Sequence, residues 1–326
     1  MIKTAMIKTA SKLGFAMALF VSAFAASAQS DRSIVRLVVP FNPAGGSDLF
    51  ARVIAPGLSE ALKQTVIVEN RAGAGGVIGA DHVAKSAPDG RTFLVSDSAA
   101  YTVSPSLYPS LPYAAKDLTP VVDIARFANV LIVPANSRLN SLDDVLKAAR
   151  KDPGKLTIAS AGPGSSPHLT AEKFQADAKI KLIHVPYKGS GPAIVDTISG
   201  QVDMVFSGLP SVSEYLKSGT VRALAIASLQ RSPFAPEVPT MSEAGVPGFE
   251  SIISQGLFAP AGTPDDIVAK VNAVVNQIMG GKEMAARAQQ LRVEPRAYTS
   301  AEYKAWLEDQ TVAWAKLIKD AGIKLP

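Results

Sequence analysis

The chain predicts an α/β fold in two lobes, each a mostly parallel sheet flanked by helices, joined at a hinge of two crossovers. Three observations carry this reading. Short β-branched runs alternate with alanine-rich amphipathic stretches, the order of βαβ units. Two glycine-rich turns, Phe41–Asp48 and Ala161–His168, lie at matching places between a strand and a helix. About 298 residues follow the N-terminal segment, enough for two domains with separate cores.

Residues 1–28 read as an export signal and are set aside from the fold. Lys3, Lys8 and Lys12 form its basic part, Leu13 to Ala26 its apolar part, and Ala26-Ser-Ala28 its cleavage site, so the mature chain starts at Gln29. Met6 repeats the opening MIKTA and is an alternative start. The apolar run falls short of the ~20 residues that span a bilayer. Val35–Val39 then reads as a strand, Asp48–Leu62 as a helix and Val66–Glu69 as the next strand. Val77–Ser86 is a helix ended by Ala87-Pro88-Asp89-Gly90, and Thr92–Ser96 a third strand. Val121–Phe127 and Val130–Val133 are strand runs broken at Ala128-Asn129. Ser141 starts a helix through Arg150, with Asp144 at its third position. Leu156–Ala159 is a strand, after which Ser166 suits an N-cap and Pro167 the first position of a helix through Ala178. Leu182–Val185, Ala193–Ser199, Val202–Ser207, Ser211–Lys217 and Ala223–Ala227 continue the alternation. Ile252–Phe258 is a returning strand, and Thr263–Asp266 caps a helix through Met279. The capping box Thr299–Glu302 opens a last helix to Asp320, whose Trp306, Leu307, Val312, Trp314 and Leu317 read as packing residues. Crossovers near Ala128–Val130 and Ile253–Gln255 would place 29–129 with 256–326 in the first lobe and 130–255 in the second.

Composition narrows the function. Removing the three lysines of the signal takes the formal charge from +5 to +2, and no Lys/Arg run marks a nucleic-acid surface. The chain has no cysteine, which excludes disulfides, thiolate metal sites, a Cys nucleophile and a lipid anchor through cysteine. An exported chain without an anchor fits a Gram-negative periplasm. Gly73-Ala-Gly75-Gly76-Val-Ile-Gly79 loosely matches a dinucleotide fingerprint, yet it follows the second strand of its unit and not the first. Close helix-on-sheet packing explains those glycines better. No P-loop occurs. Ser165 and Ser166 lack the Gly-x-Ser-x-Gly elbow, and His82, His168 and His184 show no paired metal spacing. The chain does not read as an enzyme.

The two glycine turns are the candidate site. Open α/β sheets bind ligands beyond the carboxyl ends of their strands, where such turns lie. A helix start there presents backbone N–H groups and a partial positive charge, so a carboxylate can be held without arginine. Ser47 is the expected N-cap of the first helix. Asp48 beside an anion seat would repel the ligand, so its reading is architectural, bonding N–H groups of the turn. The bland alternative is a pair of ordinary βα turns.

These residues resemble a known family. Pro40-Phe-Asn-Pro43-Ala-Gly45-Gly46-Ser-Asp48 is similar to the first loop of the tripartite tricarboxylate transporter substrate-binding proteins, the Bug receptors. Further matches follow in the family's order: Val68-Glu-Asn-Arg71-Ala-Gly73-Ala-Gly75-Gly76, Pro88-Asp89-Gly90, Leu111-Pro-Tyr113, Pro153-Gly154-Lys155, Gly164-Ser-Ser-Pro-His168-Leu and His184-Val-Pro186-Tyr187-Lys188-Gly189. Gly200-Gln-Val-Asp203, Val238-Pro-Thr240, Glu243-Ala-Gly245 and Pro247-Gly-Phe249 complete a series that covers nearly the whole mature chain.

The resemblance implies a two-lobed periplasmic binding protein, type II-like, that closes on its ligand. It implies a monomer that delivers a small organic acid (a di- or tricarboxylate, an acidic amino acid or an aromatic acid) to large and small permease subunits. Transport driven by an ion gradient implies no cofactor. Ligand contacts are expected from Phe41, Asn42, Gly45, Gly46, Ser47 and Asp48 in the first loop. In the second they are expected from Ala161, Gly162, Gly164, Ser165, Ser166 and His168. Ser98, Tyr101 and Tyr187 are candidates for what lies beyond the shared carboxylate. Ala44 departs from the glycine of many members, and a positive φ there would strain it. A ligand sensor for a membrane kinase, or an exported hydrolase on a similar fold, are the alternative functions.

Overall fold

The computed structural model describes residues 34–295, 297–320 and 322–323. The export signal lies outside the described residues. Ten strands form the sheet: β1 (Ile34–Val39), β2 (Thr65–Asn70), β3 (Thr92–Asp97), β4 (Leu118–Pro134), β5 (Thr157–Ser160), β6 (Ile183–Pro186), β7 (Met204–Gly208), β8 (Val221–Ile226), β9 (Ile252–Pro260) and β10 (Glu294–Pro295). Their order is β2-β1-β3-β9-β4-β7-β5-β6, with β8 and β10 also pairing with β4.

The βαβ ladders are parallel, as the alternation requires: β1 with β2 and β3, and β5 with β6 and β7. Antiparallel pairs of β4 and β9 join them, so the sheet is mixed.

The 17-residue β4 is the central feature. Leu118–Ala128 pairs with β9, and Asn129–Pro134 pairs with β7 and β8. The sequence predicts a break at Ala128-Asn129; the backbone instead runs straight through, and only its partners change. Asn129 is fully buried there, its N–H donating to Ser251 O at 3.3 Å and its Nδ2 to Thr170 Oγ1 at 2.8 Å. Distant partners override the low strand preference of asparagine.

Separate apolar clusters pack the two ends of the sheet. On β1, β3, the first part of β4 and β9, Leu37, Phe93, Val122 and Leu257 meet Phe50 and Ile54 of the helix Gly46–Leu62 and Val271 of the helix Asp265–Met279. At the other end Leu131 and Val133 face Phe174, Phe206 and Phe249, while Val130 and Ile132 face Ile194, Val205 and Val212 on the opposite side. Each such side chain contributes about 1.5–3 kcal/mol on burial.

Helix starts follow their sequence signals. Asp144 N–H donates to Ser141 Oγ while Asp144 Oδ2 accepts from Ser141 N–H, and Thr299 and Glu302 form the same reciprocal pair. In the last helix, Ser300–Asp320, Leu307 is buried but Val312 is 73 % exposed, so Val312 is no packing residue. The helix Lys282–Leu291 has no counterpart in the sequence reading. Among the described residues no helix is long and apolar enough to cross a membrane.

Candidate ligand site between two strand-end turns

β1 delivers the chain into the first turn, and the helix Gly46–Leu62 leaves it. Its N-cap is Gly45, two residues before the expected Ser47, and no side chain caps it. Ser47 has another partner: its buried hydroxyl donates to Gln255 Oε1 at 2.8 Å. Among the described residues the N–H groups of Gly46 and Ser47 meet no acceptor, so this helix start is open. Asp48 takes the architectural place read from the sequence. Its carboxylate accepts from Ala44 N–H at 3.1 Å, from Arg52 Nε at 2.9 Å and from Asn70 Nδ2 at 3.1 Å. Burial pushes the Asp48 carboxyl up, but the Arg52 guanidinium, the Ala44 N–H and Asn70 together hold it below the usual range. Asn70 also donates to Phe41 O at 2.9 Å, fixing both ends of the turn. Ala44 sits at φ 67°, the left-handed region that costs a non-glycine residue roughly 1–2 kcal/mol.

The second turn differs. The helix Ser166–Ala178 has Ser165 at its N-cap, with Pro167 in the first turn. The amides of Gly162, Gly164, Ser165 and Ser166 are already engaged. Gly162 N–H donates to Ser160 Oγ at 3.1 Å, Gly164 N–H to His168 Nδ1 at 3.0 Å and Ser165 N–H to Gly162 O at 3.1 Å. Ser165 Oγ also donates to Gly162 O at 2.7 Å. Ser166 N–H donates to Asp97 Oδ2 at 3.3 Å, so the second helix start is capped by a carboxylate from β3.

His168 and His184 stack behind this turn at 4.2 Å between ring centres. The Gly164 bond leaves His168 protonated at Nε2 only, and Ser160 Oγ lies 2.6 Å from His184 Nε2. Burial, with the neighbouring ring, pushes His168 down to about 3; burial pushes His184 down to about 4. Both are neutral scaffolding at neutral pH.

The two turns line one narrow cleft, and each is met by another loop from the opposite end of the sheet. Asn42 N–H donates to Lys188 O at 2.7 Å. Glycines make the approach possible: a Cβ on Gly191 would lie 2.4 Å from Pro43 O, and one on Gly75 would lie 1.7 Å from Pro163 O. Tyr108 Oη sits 2.9 Å from Ala74 O and 2.8 Å from Pro163 O, yet its single proton serves one at a time. The remaining cavity is about 20 Å³, room for one water.

Phe41, Gly45, Gly46, Ser47 and Ala161 line this cavity. Asn42, Asp48, Gly162, Gly164, Ser165, Ser166 and His168 shape its walls from behind. Ser98 is buried, its N–H on Ser254 O at 2.9 Å. Tyr101 stacks on Phe258 at 5.9 Å, and Tyr187 gives its hydroxyl to Asp196 at 2.7 Å; neither ring lines the cavity. The sequence reading missed Asp97, Phe127, Ser190, Gly208, Ser211 and Gln255, which do. Asp97 and Gly208 end β3 and β7, so the same strand-end rule would have found them. A wider groove of about 680 Å³ runs beside Arg126, Arg231, Trp306 and Trp314, but neither glycine turn lines it.

Asp97 is the one ionisable side chain lining the cavity among the described residues. It is 5 % exposed and also accepts from Ala99 N–H at 3.2 Å. Burial pushes its carboxyl up to about 6, against the pull of the Ser166 and Ala99 N–H bonds. No group of three or more His, Cys, Asp or Glu side chains among the described residues is placed to hold a metal ion.

The chain is similar to known proteins in sequence and in fold. Residues 50–323 match the family described as tripartite tricarboxylate transporter family receptor, TctC. A Pseudomonas sp. strain P51 protein from the tcbD-tcbE intergenic region is 43 % identical over 86 % of this chain and 84 % of its own length. Protein BugT of Bordetella pertussis is 39 % identical over 89 % of this chain and 90 % of its own. The solved structure of R. palustris Rpa4515 with adipate superposes with a TM-score of 0.86 at 34 % identity, covering 89 % of this chain and 98 % of that one.

Proposed function

The chain belongs to the TctC family of tripartite tricarboxylate transporter receptors, with the type II periplasmic binding protein fold, and from that premise we propose how it works. It captures a small carboxylate-bearing metabolite in the periplasm and delivers it to a membrane permease with one large and one small subunit. The observation that carries this is the uncapped helix start at Gly46 and Ser47, which lines a cleft enclosed by a second turn. A helix start holds roughly half a positive charge, and its N–H groups aim at a carboxylate placed there. Phe41 is the apolar wall and Ser47 stays tied to Gln255, which keeps the seat rigid.

The two ends of the sheet act as lobes. The sequence division, 29–129 with 256–326 against 130–255, is retained with one change. The pairing of all of β9 with the first end supports a return at Ile252. A ligand touching both lobes prefers the closed form, so binding shifts that population. The relative bound to adipate supports a carboxylate as ligand class. The test is a thermal-shift screen of the mature protein against mono-, di- and tricarboxylates, amino acids and aromatic acids. An acid at about 100 times its Kd adds roughly 2.7 kcal/mol of stability, readily seen as a raised Tm. Silence across all acids, in protein free of retained ligand, would overturn the reading.

A further inference from the structure

We propose that Asp97 sets the ligand class: it fills the helix start at Ser166 itself and selects a ligand that seats its carboxylate at the open start Gly45–Ser47 and turns a hydrogen-bond donor toward Asp97. This inference rests on the receptor reading above. The ligands it favours carry one carboxylate and, at the far end, an amide, hydroxyl or ammonium group. A second free carboxylate is disfavoured.

Three features carry this. First, the two turns are unequal. The first helix start has open N–H groups, whereas Ser166 N–H is occupied by Asp97 Oδ2 and the amides of Gly162, Gly164 and Ser165 are bonded within their own half. The helix starts after Gly189 and Gly208 also reach the cavity and carry no side-chain cap, so among the described residues Ser166 is the one helix start there that a carboxylate of the protein fills.

Second, Asp97 has acceptor capacity to spare. An ionised carboxylate offers about four lone-pair sites; the Ser166 side chain takes one, and the N–H bonds from Ala99 and Ser166 are long, at 3.2 and 3.3 Å. Among the described residues no lysine, arginine or histidine lines the cavity to neutralise it. A ligand donor satisfies this charge, while a ligand carboxylate meets it as repulsion in a site with little water to screen it. At pH 7 the group is mostly ionised despite the upward push of burial to about 6.

Third, the spacing suits a small molecule. Asp97 faces Gln255 in the antiparallel β3–β9 register, and Gln255 holds Ser47 of the open helix start. Directly opposed strand residues have Cβ atoms about 4.5–5.5 Å apart. Asp97 and the Ser47 seat thus share Gln255 as a neighbour and line the same cavity, so one small ligand can touch both.

The experiment compares matched probes on the mature protein by calorimetry: succinate against its monoamide and 4-aminobutyrate, and adipate against its monoamide and 6-aminohexanoate. The expected result is at least tenfold tighter binding of the monoamide or amino acid than of the diacid in one length series. In D97N that preference shrinks by at least tenfold. Diacids binding the wild type as tightly as their partners, or an unchanged ratio in folded D97N, overturn the inference but leave the receptor reading standing. Failure of every carboxylate to bind overturns both. Should D97N not fold, the wild-type ratio decides alone.

Discussion

Replacing Gly191 by alanine separates closure from stability. Gly191 lies in the first turn of the helix Ser190–Ile198, where its φ is not positive and alanine is at least as good a helix former. A Cβ there would sit 2.4 Å from the backbone oxygen of Pro43 and 3.4 Å from the Ala44 Cβ. Ordinary contact begins near 3.4 Å, so the two sides must part by about 1 Å. That displacement stretches the 2.7 Å bond from Asn42 N–H to Lys188 O beyond hydrogen-bond range. Losing the bond costs about 0.5–1.5 kcal/mol, and up to about 3 kcal/mol if the buried groups stay unsatisfied. Affinity for the tightest acid should fall roughly 2- to 13-fold, and up to about 160-fold if the buried groups stay unsatisfied. The ligand-free Tm should hold or rise slightly. Calorimetric Kd values and melting curves check both halves. A folded variant with Kd within about twofold of wild type would refute the closure geometry; a lowered ligand-free Tm would mean that this contact also holds the ligand-free protein together.

Three further outcomes are expected. Ala44→Gly relieves the left-handed strain at φ 67°, partly offset by the greater freedom of glycine in the unfolded chain, so chemical denaturation should show a gain below about 1 kcal/mol; a loss would mean the turn prefers alanine. Tyr108→Phe removes the donor shared between Ala74 O and Pro163 O, and should weaken binding by roughly two- to tenfold with little change in ligand-free Tm. His168 and His184, pushed to about 3 and about 4, have folded values below their unfolded one near 6.5. The unfolded chain therefore binds more protons below that pH, and their contribution is full above about 6.5 and lost as pH falls toward 4. Stability measured from pH 7 to 4 should drop steeply in the wild type and less in His184→Gln; parallel curves would discount this pair.

The sequence displayed what is local. The strand before Phe41, the glycine turns, and the boxes at Ser141 and Thr299 were legible because their signals lie within a few residues of their effects. What it hid depends on partners far along the chain. Ser47 has a good capping side chain, but Gln255, 208 residues on, claims its hydroxyl and moves the cap to Gly45. Asn129 looks like a strand breaker until Ser251 and Thr170 are beside it. Asp97 was unremarked because nothing nearby in sequence shows that Ser166, 69 residues away, will sit against it. The strain at Ala44 was foreseeable only through comparison with the family's glycine.

The unbroken course of β4 also limits how such a receptor can diversify. Along this strand Leu131 and Val133 belong to one apolar cluster, while Val130 and Ile132 belong to the cluster on the opposite face. Because side chains alternate with period two, inserting or deleting one residue near Ala128 would exchange those faces for everything beyond it. Parity thus fixes the length of the strand beyond Ala128, whereas its first part takes up single extra residues at Val121 and Ile124 as bulges against β9. New ligand preferences must arise by substitution at the strand ends, where a change at one position leaves the inheritance of both cores intact.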